Sequence, residues 1–327
     1  MTFSQGWDGP KVYAAQLGEP VRLDLTMPPP QVGIVPLRPL GVGDVLSGAF
    51  KAVRFNPAVM FGLTVLVVLL GQLLGTGATL LLGEQLGASL VPYEEPGLSI
   101  FGDVPTMLVQ FGTGELTGLV VNMALMYATA QAVLARRVRP ADALRHLGRR
   151  LLPALGLAGL LGGVGLLAVG AVALVFGAAG SSQDPSAVIG LGFLLLLLAG
   201  PLAAWLSIRL SFAACVVAVE EVGPIRALRR SWAVTRGLFW RVLGITLLVN
   251  LVVGMAAGTV SQVFTFGAML LALESEAQFM LVAVTASTVV ASVLTLPLTS
   301  AATTLLYVDC RIRREGFDIA LSEAMYG

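Results

Sequence analysis

The chain has 327 residues, 56% of them hydrophobic and 12% charged, with a mean hydropathy of +0.87 and a formal net charge of +1. About a quarter of the residues of a soluble domain are charged, so this balance excludes a water-soluble globular protein and indicates a polytopic membrane protein. The near-neutral charge gives no reason to expect a nucleic-acid partner, because the basic residues fall in short clusters between apolar runs.

Residues 1–35 mix polar and charged residues with Pro28-Pro29-Pro30, and are expected to form a disordered cytosolic arm. From Pro36 to about residue 55, Val42, Val45, Leu46, Ala49, Phe50 and Val53 share one face, which predicts an amphipathic interfacial helix. Asn56-Pro57 is expected to restart the helix, with Asn56 as its cap, for a first span ending near Gly83. That span starts behind a polar leader and is too long for the core of a cleavable signal peptide. Its Gly71-x-x-x-Gly75 spacing permits close helix approach.

A long connection from Glu84 to about Gly112 carries four acidic residues and no Lys or Arg, and reads as a solvated outer loop. The second span, about Thr113–Ala135, ends in Arg136, Arg137 and Arg139. A short basic helix over about 140–150 follows and holds His146, the single histidine. The third span, about Leu151–Gly180, is rich in glycine and is expected to pack closely. After a brief turn, the fourth runs from about Ala187 to Val219.

Next comes GPIRALRRSWAVTRGLFWR, Gly223 to Arg241. As a helix over about 224–238 it places Ile225, Leu228, Trp232, Thr235 and Phe239 on one stripe, with Arg226 and Arg230 opposite and Arg229 and Arg236 bordering it. Such a helix lies at a headgroup boundary, its Trp half sunk and its arginines among phosphates. The fifth span, about Val242–Leu271, contains Gly254-x-x-x-Gly258. The sixth runs from about Phe279 to Tyr307, and a further amphipathic helix is expected at about 315–326.

Every arginine cluster precedes the first span, follows the sixth, or lies between the second and third or the fourth and fifth spans. By the positive-inside rule both termini are expected in the cytosol of a bacterial plasma membrane. The thiols of Cys215 and Cys310 are then expected to be reduced. Aligning Arg54, Arg150 and Arg236 brings Phe50, His146 and Trp232 into register, and Pro57, Pro153 and Phe239 likewise. This suggests six spans built as three parallel hairpin repeats of near 90 residues. The fold class expected is all-α, a six-span bundle ringed by basic interfacial helices.

PLRPLGVGDVLSGAFKAVRFNP near the start, ALRRSWAVTRGLFWRVLG in the middle and YVDCRIRREGFDIAL at the end resemble bacterial, especially actinobacterial, six-span proteins. These are related to the membrane domain attached to some glycerophosphodiester phosphodiesterases. The resemblance implies a fold and a location. The hydrolase reaction of those relatives needs paired histidines with metal-binding carboxylates, and His146 stands alone, so no such activity is expected.

No catalytic constellation, metal site or cofactor motif is found. Arg209 is the anomalous residue. Counted back from Glu220 along one helix it lies about 16 Å inside the membrane at 1.5 Å per residue, where a charge costs ~2.5 kcal/mol or more. It is expected either to bind carbonyls or a carboxylate, or to mark an anionic headgroup site, with Pro201 kinking the span nearby. Asn122 and Asn250 are intramembrane polar candidates, and Asp309 is expected to pair with the arginines that follow it. Arg226, Arg229, Arg230, Trp232, Arg236 and Trp240 are the candidate surface for anionic lipid headgroups or a membrane-protein partner. A non-enzymatic protein that organises lipid or a partner is the first reading. The alternative is a transporter or flippase for an amphipathic molecule, with its cavity around Arg209.

Overall fold

The structure is a computed structural model, and its described residues are 31–32, 34–36, 39–86, 104–181, 185–220, 222–271 and 277–315. A helix satisfies its own backbone hydrogen bonds, so apolar runs of this length fold as helices. In chain order they are α1 (Val42–Phe55), α2 (Thr64–Leu86), α3 (Val104–Val133), α4 (Pro140–Arg149), α5 (Leu151–Ser181), α6 (Pro185–Leu210), α7 (Ala213–Glu220), α8 (Pro224–Thr235), α9 (Phe239–Leu271) and α10 (Ala277–Glu315). A π-helical turn, Ala58–Leu63, leads into α2.

Among the described residues, five stretches are long and apolar enough to cross a membrane: Ala58–Thr79, Leu108–Val133, Gly192–Glu220, Phe239–Gly267 and Thr285–Glu315. A sixth is counted when Pro140–Arg149 and Leu151–Leu167 are taken as one span bent by 71°. The protein is thus an all-α, multi-pass bundle of membrane type. Most of the expected disordered arm, the connection at 87–103 and the tail helix expected at 315–326 lie outside the described residues, except Glu315, which ends α10. Close to the helices, Gln31–Val32 pairs antiparallel with Val35–Pro36.

α3 and α10 form the centre: α10 runs along α9 and also meets α1, α2 and α3, and α3 meets α2, α5 and α7. Half of the Leu108–Val133 span is buried inside the protein, against 28% of the peripheral Phe239–Gly267. Several of the largest fully buried side chains, Leu40, Met60, Phe212, Leu305 and Tyr307, come from segments at the arginine-bearing ends of the helices.

That end is also knit by charge. Asp309 is fully buried; it accepts from the Leu40 amide at 2.8 Å, from Arg241 Nε at 3.0 Å and from Arg313 Nε at 2.9 Å. Arg241 and Arg313 both donate to the Leu40 carbonyl, so one backbone residue is held by its N–H and its C=O. Glu220 at the end of α7 accepts from Arg230 and from the Tyr307 hydroxyl, with Arg311 3.7 Å away. Glu315 binds Arg230 at 2.7 Å and Arg311 at 3.0 Å. Burial alone would lower the Arg230 guanidinium, but its bonds to Glu315 and Glu220 outweigh that and raise it above its ordinary value. The expected pairing of Asp309 with its following arginines holds for Arg313 and extends to α9 and the chain before α1.

The amphipathic helices dock differently from expectation. α1 buries Val45, Gly48, Ala49, Ala52 and Val53, while Val42 and Phe50 of the expected stripe stay exposed. Gly48 permits this contact, because a Cβ there would stand 2.8 Å from Leu305 Cδ1 on α10. α8 buries Ala227, Ser231, Val234 and Thr235, and leaves Ile225 and Trp232 of its expected stripe exposed. Thr235 of that stripe is buried and Leu228 and Phe239 pack partly against the core, so the stripe is shared between the protein and the boundary. Asn56 does not cap by its side chain: its carbonyl receives the Val59 and Met60 amides, and its Oδ1 accepts from Val138 N at 3.4 Å.

The two Gly-x-x-x-Gly pairs have different fates. Gly71 and Gly75 face Thr117 and Thr113 on α3, one turn against one turn. Gly254 and Gly258 face nothing within 4 Å. In α5, Gly156 lies against Pro224 and Gly165 against Phe111, but Gly159, Gly162, Gly163 and Gly170 are open, so the close packing expected of this helix occurs at two points among its described glycines.

Candidate functional site

The expected fourth span is broken. α6 ends at Leu210, residues 211–212 turn, and α7 begins at Ala213. A break exposes a carbonyl and an amide that no helix turn can satisfy, and in an apolar setting each must find another partner. One side chain from α8 serves both. Ser231 Oγ donates to the Arg209 carbonyl at 2.8 Å and accepts from the Phe212 amide at 3.2 Å. Pro201, inside α6, lies well before this break. Replacing Ser231 with Ala is expected to cost about 1–3 kcal/mol, the penalty for an orphaned buried polar group. Thermal unfolding in detergent checks the magnitude, and faster hydrogen exchange confined to the Phe212 amide checks the cause.

The break fixes where Arg209 goes. Its guanidinium carbon lies 5.1 Å from the Trp232 ring centroid, 5.4 Å from that of Trp205 and 5.6 Å from that of Phe239. Trp205 stands one turn before Arg209 on α6, Trp232 comes from α8, and Phe239 is the first residue of α9. The Arg209 guanidinium is therefore level with the first residue of α9, while Gly192–Glu220 still runs as one span across the turn. Trp205 and Trp232 also meet edge to face at 5.2 Å.

Each ring face attracts the cation by roughly 0.5–2 kcal/mol, more as water is excluded. None of them accepts the in-plane N–H groups. Nε and Nη1 are buried without a hydrogen-bond partner, and Arg209 has no carboxylate or carbonyl partner among the described residues. The expectation that it binds carbonyls or a carboxylate is not met. Arg209 also borders open space.

That space is a groove of about 660 Å³ between α6 and α9, lined by Pro201, Trp205, Arg209, Phe239, Trp240 and Leu243 among others. Trp240, one of its lining residues, is 79% exposed. Gly237 contributes to the wall with φ +84, a left-handed conformation that favours glycine, and Arg314 Nη2 would stand 3.2 Å from a Cβ there. Arg314 also donates to the Ala233 carbonyl at 2.7 Å. The groove thus combines an unmet cation, a second arginine at its edge and apolar walls.

Over residues 40–310 the chain matches the family described as "Domain of unknown function (DUF7847)". It belongs to that family. No curated protein and no solved structure matches the chain. The matched segment starts at Leu40 and ends at Cys310, so it contains Leu40, Arg241 and Asp309 as well as the Arg209 groove, while Arg313 lies just beyond it.

The other candidates separate. Arg226, Arg229 and Arg236 are exposed with no partner among the described residues, whereas Arg230 is held by Glu220 and Glu315. Asn122 accepts a hydrogen bond from Ser300 on α10, so it ties the two central helices together. Asn250 donates to the Thr246 carbonyl of its own helix at 2.9 Å and is exposed. His146 stacks on Tyr127 with ring centroids 4.0 Å apart, and its Nε2 lies 2.9 Å from the Ala218 carbonyl. Trp205 and Ser231 were not singled out from sequence, and Phe239 was read as part of the apolar stripe, not as a neighbour of Arg209. A Trp four residues before an intramembrane Arg, on the same helix face, is a signal that could have found the first.

Proposed function

We propose that this protein is a non-enzymatic integral protein of the bacterial plasma membrane, with both termini in the cytosol, that holds and organises anionic phospholipid at the inner leaflet. The observation carrying this reading is the Arg209 guanidinium, boxed by three rings, without an acceptor for Nε and Nη1, on a residue that lines a largely apolar groove. A phosphate oxygen supplies the missing acceptor, the planar guanidinium suits it, and an acyl chain suits the Pro201 and Leu243 walls. The exposed Arg226, Arg229 and Arg236 add attraction of about 1 kcal/mol per basic residue near an anionic surface. Kinship with the membrane domain of phosphodiesterase relatives is part of the proposal for the fold alone.

Arg209→Gln is expected to reduce co-purified anionic phospholipid about tenfold at this site, since a charged hydrogen bond is worth about 1.5–3 kcal/mol. Arg209→Lys should recover part of it, keeping charge but losing the fork. Lipid mass spectrometry on the purified protein reads both, and unchanged lipid in a folded Arg209→Gln variant overturns the proposal. The alternative, a lipid transporter or flippase, draws support from the size of the groove and the broken helix beside it. Translocation of a labelled anionic lipid by reconstituted protein, lost in the same variant, separates it from static binding.

A further inference from the structure

A second cavity lies apart from the Arg209 groove, between α2, α3 and α10. It measures about 230 Å³, and its polar lining is Gln72 on α2, Gln110, Thr113 and Thr117 on α3, and Thr288 and Ser292 on α10. Gln110 to Gly118 along α3, and Thr288 to Leu296 along α10, each cover about 12 Å at 1.5 Å per residue. Gln110 sits near the start of the Leu108–Val133 span, so the cleft reaches inward from the end of the bundle opposite the arginine clusters.

The chemistry of the lining is one-sided. Thr113 donates its hydroxyl proton to the Val109 carbonyl at 2.9 Å, Thr117 to the Thr113 carbonyl at 2.7 Å and Ser292 to the Thr288 carbonyl at 2.8 Å. Their oxygens are left with lone pairs for other donors. The side-chain amides of Gln72 and Gln110 make no hydrogen bond with the described residues, and each offers both donors and an acceptor. None of the lining residues is ionisable. Gln72, Gln110, Thr113, Thr117 and Ser292 are half-buried and Thr288 is exposed, so the cleft is open at its edge, and its volume admits about eight waters at roughly 30 Å³ each. An ion entering it would leave its hydration behind without meeting a counter-charge.

We infer that this cleft is a hydrated binding site for a small uncharged polyol, whose hydroxyl groups match acceptor oxygens and amides together. The site is independent of the lipid reading. Its test uses full-length protein in liposomes carrying Ser292→Cys, with Thr113→Cys as a second reporter on the facing helix. Both are probed with a membrane-impermeant thiol reagent. The native Cys215 and Cys310 are fully buried and should stay silent in the wild type. Met255→Cys, on an exposed part of α9, is the lipid-facing control. The reporters should react and the control should not. Erythritol should slow the reaction roughly threefold at about twice its dissociation constant, by simple occupancy. Adding Gln72→Leu should abolish that slowing while the reaction persists. Reporters that stay unreactive in protein of wild-type thermal stability overturn the hydrated cleft, and reaction rates indifferent to erythritol overturn the polyol.

Discussion

Replacing Asp309 with Ala is expected to destabilise the protein more than any other single side-chain deletion at its charged end, by about 3–5 kcal/mol. The carboxylate is fully buried and balances two guanidiniums, Arg241 and Arg313, while also receiving the Leu40 amide. Removing it leaves two cations beside each other and a buried N–H without an acceptor. Both guanidiniums are 30% exposed, so water screens part of this repulsion and the lower end of the range is the more natural expectation. Asp309→Asn keeps the shape and the amide's acceptor and should cost less. The double variant Asp309→Ala, Arg313→Ala should lose less than the sum of the two single losses, because it removes the surplus cation together with its partner. Thermal unfolding of the purified variants measures all of these. A protease cut appearing near Pro39, where the chain is freed once Leu40 is no longer clamped, would locate the damage. An Asp309→Ala protein as stable as the wild type would show that the clamp contributes nothing.

The elements were readable in the sequence because lipid leaves an apolar chain few choices. Every described apolar run is a helix, and Pro140 and Pro224 each occupy the first turn of the helix expected to start there. What the sequence hid is what faces what. In α8 the large apolar stripe drew attention, yet Ala227, Ser231 and Val234 meet the protein, because burial in protein and burial in lipid cost an apolar side chain about the same. The break at residues 211–212 carries neither Gly nor Pro. Its stability depends on Ser231, which is remote in sequence and unremarkable by type. Arg209 itself was legible, as a charge among apolar residues. Its surroundings were not, since Trp232 and Phe239 reach it only after the chain has turned back twice. The polar cleft was not read: Gln110, Thr113 and Thr117 share one helix face at spacings of three and four, and Gln72 joins them only from a second helix.

Gly71 carries the second large expectation. The Gly-x-x-x-Gly pattern recurs along the chain, and sequence cannot say which copy is a contact; the backbone geometry can. A Cβ on Gly71 would overlap Thr117 Oγ1 and stand 2.7 Å from its Cγ2 and 2.9 Å from its Cβ. The first two atoms could swing away with the side chain, but the third moves only with the α3 backbone, so Gly71→Ala must push two helices apart. Overpacking of this kind costs about 1–3 kcal/mol, and Gly71→Leu should exceed it. The same substitution at Gly254, where nothing lies within 4 Å, should be neutral or slightly favourable, because Ala is the better helix former by roughly 1 kcal/mol. Relief of the clash should be graded. Thr117→Ala in the Gly71→Ala background removes the Oγ1 and Cγ2 overlaps but keeps the Cβ, and should recover part of the loss. Thr117→Gly removes the last contact, at the cost of a second flexible residue. Melting temperatures of the five variants in one detergent give this order directly. Equal behaviour of Gly71→Ala and Gly254→Ala would mean that α2 and α3 do not approach as closely as the geometry requires.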